Sequence, residues 1–178
     1  IPMSAVTSGL IPDKDWKRRN RGAEWVIGDS VNASIGQGFV LSSPLQLAVM
    51  TARIATGKAV TPRLVKSIDG VETVHLEGAD LGINPNHLRQ IRRGMFAVSN
   101  HRHGTAYRSR IAAAEMRMAG KTGTSQVRNI TAAERARGVT SNDDLPWERR
   151  DHALFVDFAP AEAPQIAVAV VVEHGGGG

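Results

Sequence analysis

Lys121, Thr122, Gly123 and Thr124 follow one another inside Met116 to Val127, a stretch whose residues read as an extended strand. Side chains alternate along a strand, so Lys121 and Gly123 share one face while Thr122 and Thr124 share the other. An acyl-transfer site needs a cation near the nucleophile, a grip on the substrate's carboxylate, and donors for a tetrahedral oxyanion. Lys121 offers a positive field and a route for proton transfer. Thr122 and Thr124 can donate hydroxyl hydrogens to a carboxylate, and Gly123 leaves room where a side chain would collide with a nucleophile-bearing helix. The same four residues also describe an ordinary surface strand containing a glycine, and the surrounding chain decides between the two.

Other chemistry-bearing residues are less well arranged. His101 and His103 flank Arg102 with no carboxylate or third histidine close in sequence, which reads as a helix end and not a metal site. His152 and His174 bracket two apolar runs and read as strand-end residues. Asp143 and Asp144 are adjacent, point apart in extended chain, and lie among Ser141, Asn142 and Pro146, so they belong to a solvated loop. Asp157 interrupts an apolar strand and is expected to pair with Arg149 or Arg150. Met116 and Met118 read as packing residues.

The elements that must hold Lys121 can be read from caps and periodicity. Residues 1–32 are punctuated by Pro2, Gly9, Pro12, Gly22 and Gly28 and read as irregular. Ser43, Pro44 and Gln46 form a capping box with proline in the first turn, and Leu45, Leu47, Ala48, Met50, Ile54 and Ala55 follow up to Gly57. This predicts a buried helix. Val60 to Ile68 reads as a strand paired with Val71 to Leu76 across Asp69-Gly70. A second helix starts at Asn84-Pro85 and ends near Asn100, and a third is expected over Thr105 to Ala114. After the Lys121 strand, Arg128 to Arg150 has the composition of a long excursion with a helical turn or two at Ala132 to Arg137. His152 to Phe158 and Gln165 to Glu173 then form a β-hairpin around Pro160 and Pro164. Its second strand, apolar on both faces, is expected in the middle of a covered sheet.

Composition bounds the function. The chain has 178 residues, 42% hydrophobic and 4% aromatic, enough for one domain with an aliphatic core. Net charge is +5, but the only dense basic run, Lys17-Arg18-Arg19-Asn20-Arg21, lacks a recognition-helix pattern or aromatic platform. It reads as a solvated loop, and no nucleic-acid partner is expected. With no cysteine there are no disulfides or thiolate zinc sites. No apolar run reaches the length of a membrane span, and both ends look cut, as in a piece of a longer protein.

Three ordered stretches carry a resemblance over nearly the whole chain. Gly36-Gln37-Gly38 followed by Ser43-Pro44-Leu45-Gln46-Leu47-Ala48 resembles the "GxG…TPLQLA" helix entry of class B penicillin-binding proteins. Gly104-Thr105-Ala106 and then Ala119-Gly120-Lys121-Thr122-Gly123-Thr124 have that family's spacing between its "GTA" and "AGKTGT" segments, the second holding the Lys-Thr-Gly element of serine acyl-transfer enzymes. Leu145-Pro146-Trp147-Glu148, His152 to Val156 and Ile166 to Glu173 resemble the elongation-type members, penicillin-binding protein 2.

The resemblance implies an α/β fold of the α+β type, a mainly antiparallel sheet covered by helices as in penicillin-binding proteins and serine β-lactamases, with residues 1–178 the C-terminal part of one transpeptidase domain. It implies Lys121 and Thr124 as catalytic residues, the latter through its backbone N–H as an oxyanion donor, and Thr122, Gly123 and Thr124 as the substrate-binding set. The implied reaction is peptidoglycan D,D-transpeptidation on D-Ala-D-Ala stem peptides, sensitive to β-lactams, without cofactor or metal. Implied partners are a SEDS-type glycan polymerase and elongation scaffold proteins. The implied location is the periplasmic face of the bacterial inner membrane, with the anchor outside this chain.

The family's nucleophile sits in Ser-x-x-Lys, and no serine here has lysine three residues on. Ser30-Val31-Asn32 matches the second element, Ser-x-Asn, but lies directly before Gly36, whereas the family places that element well upstream. The nucleophile is therefore expected outside residues 1–178, which alone should be inactive. A D,D-carboxypeptidase, a β-lactamase relative and a non-catalytic β-lactam sensor share these motifs and stay open as alternatives.

Overall fold

The computed structural model describes residues 6–74, 78–128 and 130–177. Helices form where side chains satisfy the orphan N–H groups of a first turn. α1 (Lys14–Arg21) opens at Asp13, which accepts the Trp16 N–H at 2.6 Å, and stops at Gly22. α2 (Ile27–Ser34) opens with the Asp29 carboxylate turned back onto the Val26 N–H at 2.7 Å. α3 (Pro44–Thr56) has the expected box: Ser43 N–H donates to Gln46 Oε1 at 2.9 Å, and Gln46 N–H donates to Ser43 Oγ at 3.3 Å. α4 (Pro85–Asn100) starts at Asn84, as the Asn-Pro signal predicted.

The first two helices correct the reading of residues 1–32 as irregular and of Lys17–Arg21 as a solvated loop. The cap at Asp13 places the basic run on α1, and Lys17 turns inward with its ammonium 2.5 Å from Asp29. That ammonium, together with the Val26 N–H, holds the Asp29 carboxyl below its ordinary range. Two short helices with little apolar surface are thus stapled by one part-buried pair.

Two further expectations change. Of Val60 to Ile68, only Ser67–Ile68 (β1) enters a ladder, with Val71–Glu72 (β2) across Asp69 and Gly70, both at positive φ. The Thr73 N–H continues the pairing to the Lys66 carbonyl, and the Thr73 hydroxyl donates to that of Val65. The expected end of that strand, at His75 and Leu76, lies outside the described residues. Thr105 to Ala114 is not a helix. The Ala106 N–H donates back to the Val98 carbonyl at 3.1 Å, and the chain continues through single 3-10 turns at Tyr107–Ser109 and Ala114–Met116. Gly104 sits where a Cβ would overlap the Val98 carbonyl, so the chain doubles back onto the end of α4 and cannot wind on.

β3 (Ala119–Ser125), β4 (His152–Ala159) and β5 (Ile166–Val172) make an antiparallel sheet in that order, the pairing expected from the sequence. Lys121 stands opposite Val156, Thr122 opposite Phe155, and Val156 opposite Ala169. The excursion between β3 and β4 contains α5 (Ala132–Arg137) and 3-10 turns at Asn142–Asp144 and Trp147–Arg149. β5 takes the outer position among the described strands, not the middle. Its all-apolar sequence meets α3 on one face, while Ile166, Val170 and Val172 stay exposed.

Helices α3 and α4 form one layer against this sheet. Ala55, Met95, Ala119 and Phe158 make the centre of the core, with Ile54, Phe96 and Ala167 around it. Phe158 and Ala119 are each 1% exposed, and burial of one such phenylalanine is worth about 1.5–3 kcal/mol. α3 is buried only in part: Thr51 and Ala55 are covered, whereas Leu45 and Met50 remain exposed.

Candidate functional site

β3 carries the candidate site residues Lys121 to Thr124, and its position follows from how it is anchored. Its entry is held by Asn100 at the end of α4, whose Nδ2 donates to the Met118 carbonyl at 2.8 Å. Its exit is held by Asp151, whose carboxylate accepts the Val127 N–H at 3.1 Å and the Asn142 Nδ2 at 3.3 Å. Between these anchors β3 pairs with β4 alone among the described residues, which leaves its other edge for side chains and ligands.

The alternation expected from the sequence is present. Lys121 lies on the helix-facing side, where it lines an apolar cavity of about 400 Å³ with Met50, Ile54, Ile91, Met95 and Val156. Its ammonium is exposed and donates to the Thr122 carbonyl at 2.6 Å. Gly123 lies on the same side, but the close approach it permits is to Leu154: a Cβ would come within 3.3 Å of the Leu154 Cβ. Thr122 and Thr124 occupy the opposite face. The Thr122 hydroxyl is 3.0 Å from that of Thr105, so one hydrogen lies between the two oxygens and the other remains for a ligand. The Thr124 carbonyl accepts the Gln37 Nε2 at 2.7 Å.

Three separated sequence motifs thus converge on one strand. Gln37 comes from the loop before α3, Thr105 from the turn after α4, and both touch the threonines that flank Gly123. Sequence reasoning marked both segments and gave neither residue a role. The signal was present for Gln37, in the glycines on either side of it.

Residues 4–178 match the penicillin binding protein transpeptidase domain family. The chain belongs to the penicillin-binding protein transpeptidase family. Peptidoglycan D,D-transpeptidase MrdA of Acinetobacter baumannii is 36% identical over 182 residues, which cover 98% of this chain and 26% of that protein. The crystal structure of Pseudomonas aeruginosa PBP2 in complex with WCK 5153 superposes with a TM-score of 0.79 at 37% identity, over 100% of this chain and 36% of that one. PBP2 of Helicobacter pylori in its complex with MreC matches 98% of this chain and 29% of its own, with a TM-score of 0.78 and 34% identity. The chain therefore spans about a quarter of the length of the curated relative it matches.

Within this transpeptidase domain the other candidate residues have structural settings. His101 and His103 have ring centroids 5.5 Å apart, and His103 Nε2 accepts from Arg102 Nε at 3.1 Å. No cluster of three metal-binding side chains occurs among the described residues. Asp143 and Asp144 sit exposed on a 3-10 turn. His152 and His174 pack edge to face, with the His174 N–H donating to His152 Nδ1 at 2.9 Å, and the Trp147 ring lies tilted against His174. Asp157 forms no ion pair with Arg149 or Arg150. Arg150 is spent on the carbonyls of Leu145 and Asp143, and burial pushes the Asp157 carboxyl up. The excursion carries its own clamp, Arg128 with both terminal guanidinium nitrogens, Nη1 and Nη2, 2.7 Å from Glu134 oxygens, which holds the Glu134 carboxyl down at about 2. A separate apolar cavity lined by Leu45, Met50, Ile54, Pro62 and Leu81 offers no acid or hydroxyl.

Proposed function

We propose that this chain is the C-terminal part of the transpeptidase domain of a peptidoglycan D,D-transpeptidase of the penicillin-binding protein 2 type, acting in cell-wall elongation. A serine supplied from outside residues 1–178 attacks the carbonyl of the D-Ala-D-Ala bond in a stem peptide. The tetrahedral intermediate collapses with loss of D-Ala, and an amine of a neighbouring peptide attacks the acyl-enzyme to form the cross-link.

Lys121 supplies positive charge next to the nucleophile and takes part in proton transfer. The Thr122 and Thr124 hydroxyls bind the terminal carboxylate, with Thr105 fixing the rotor of Thr122. The Thr124 backbone N–H stabilises the oxyanion, a contribution on the order of 3 kcal/mol per donor. β-Lactams acylate the same serine. The observation that carries this reading is the meeting of Gln37, Thr105 and the Lys121–Thr124 strand, since three motifs distant in sequence serve one edge.

The partners proposed are a SEDS-type polymerase and an elongation scaffold protein, the latter supported by the H. pylori PBP2–MreC complex. The domain is placed on the periplasmic face of the inner membrane with its anchor outside this chain, without nucleic acid or cofactor. The test is acylation of the intact protein by a labelled penicillin, followed by cross-linking of stem peptides. Acylation without any cross-linked or hydrolysed product would instead identify a sensor.

A further inference from the structure

Gly36 and Gly38 both have φ of +74°, where a side chain is strained. Gln37 between them donates its own N–H to the Asn32 carbonyl at the end of α2, at 2.9 Å. Phe39, next along, packs against Trp16 of α1 with ring centroids 5.2 Å apart. The backbone of Gln37 is therefore held from both sides, and the two left-handed glycines turn the chain so that its side chain crosses to β3. There its Nε2 meets the Thr124 carbonyl at 2.7 Å in a part-buried contact, 87 residues away in sequence.

That carbonyl belongs to the peptide joining Thr124 to Ser125. The preceding peptide carries the Thr124 N–H and adjoins Gly123, whose lack of a Cβ gives the backbone wide freedom. That freedom is limited on one side by the pairing of Gly123 with Leu154, and on the other by a donor that fixes the next peptide plane. We propose that Gln37 is a positioning residue for acylation: by donating to the Thr124 carbonyl it orients the Thr124 N–H toward the reacting carbonyl. The inference rests on the oxyanion role given to Thr124 above.

The test uses the intact protein and two variants. Gln37→Glu keeps length and shape, but its carboxylate has no hydrogen to donate and repels the carbonyl; protonated, it can donate again. Gln37→Met cannot donate at any pH. Stopped-flow acylation by a fluorescent penicillin separates the non-covalent dissociation constant from the acylation rate constant. Both variants should lose about ten- to a hundredfold in rate constant, within the ~10²–10³ ceiling for a lost oxyanion donor. Binding and melting temperature should stay near wild type. The rate of Gln37→Glu relative to wild type should recover as pH falls toward the ordinary glutamate range near 4.3, and that of Gln37→Met should not.

A wild-type rate constant in both variants overturns the inference. So does a loss confined to active fraction and melting temperature, which is what a merely structural role would produce. An intact wild-type protein that no penicillin acylates overturns the proposed function and this inference together, so the two failures are distinguishable.

Discussion

The Gln37 carboxamide and the Thr124 carbonyl, 2.7 Å apart, join the loop before α3 to the open edge of β3. Together with the Thr105–Thr122 hydroxyl pair at 3.0 Å, this contact makes the edge of β3 a defined surface built from distant segments. A bare edge strand invites pairing with other chains, and capping it with side chains leaves it open only to a ligand that fits.

Lys121→Ala in the intact protein should slow penicillin acylation by about 10²–10³, the cost of losing one electrostatic contact to the transition state. Folding should change little, because the Lys121 ammonium is exposed. The second-order acylation rate measures this. A rate near wild type would remove the mechanism assigned to this strand.

Thr122→Val keeps strand propensity and removes one hydroxyl. Acylation should fall most for ligands that carry the terminal carboxylate, and comparison with ligands lacking it isolates the effect. Thr105→Val should give a weaker loss with the same ligand dependence, since it frees the Thr122 rotor without deleting it.

Phe158→Ala should destabilise the fold by about 3–5 kcal/mol, because it empties the centre of a core shared with Ala55, Met95 and Ala119. Chemical denaturation read by tryptophan fluorescence measures the change. A cost below about 1 kcal/mol would mean that the core between sheet and helices is not closed at this point.

Glu134 has a folded carboxyl held down to about 2 from an ordinary 4.5, first by its hydrogen bonds from Arg128. A depressed acid contributes stability above its unfolded value and loses it as pH falls through its folded value. Proteolytic cleavage within 128–150 should therefore rise as pH drops from 4.5 toward about 2. Glu134→Gln should show high cleavage with little pH dependence over that window.

Residues 1–178 alone should form no covalent adduct with a labelled penicillin, because no serine in them stands three residues before a lysine. Mass spectrometry after incubation tests this, and a stable adduct would place the nucleophile inside this chain.

Local chemistry made much of this legible. The box at Ser43 and Gln46, the Asn84-Pro85 start and the Gly57 stop each act within one turn, so α3 and α4 appear where the sequence puts them. The order β3-β4-β5 follows from apolar runs and prolines between neighbours in sequence, and Lys121 alternates with Thr122 because any strand does so. Only the tertiary structure decided the rest. Lys17 is buried because Asp29 meets it, and Thr105 to Ala114 fails to wind because Ala106 bonds back to Val98. Gln37 and Thr105 reach the candidate site only through their contacts with Thr124 and Thr122. Sequence spacing controls what is near along the chain, whereas a hydrogen bond spanning 87 residues exists only once α2, α3 and β3 are packed and bring its donor and acceptor together.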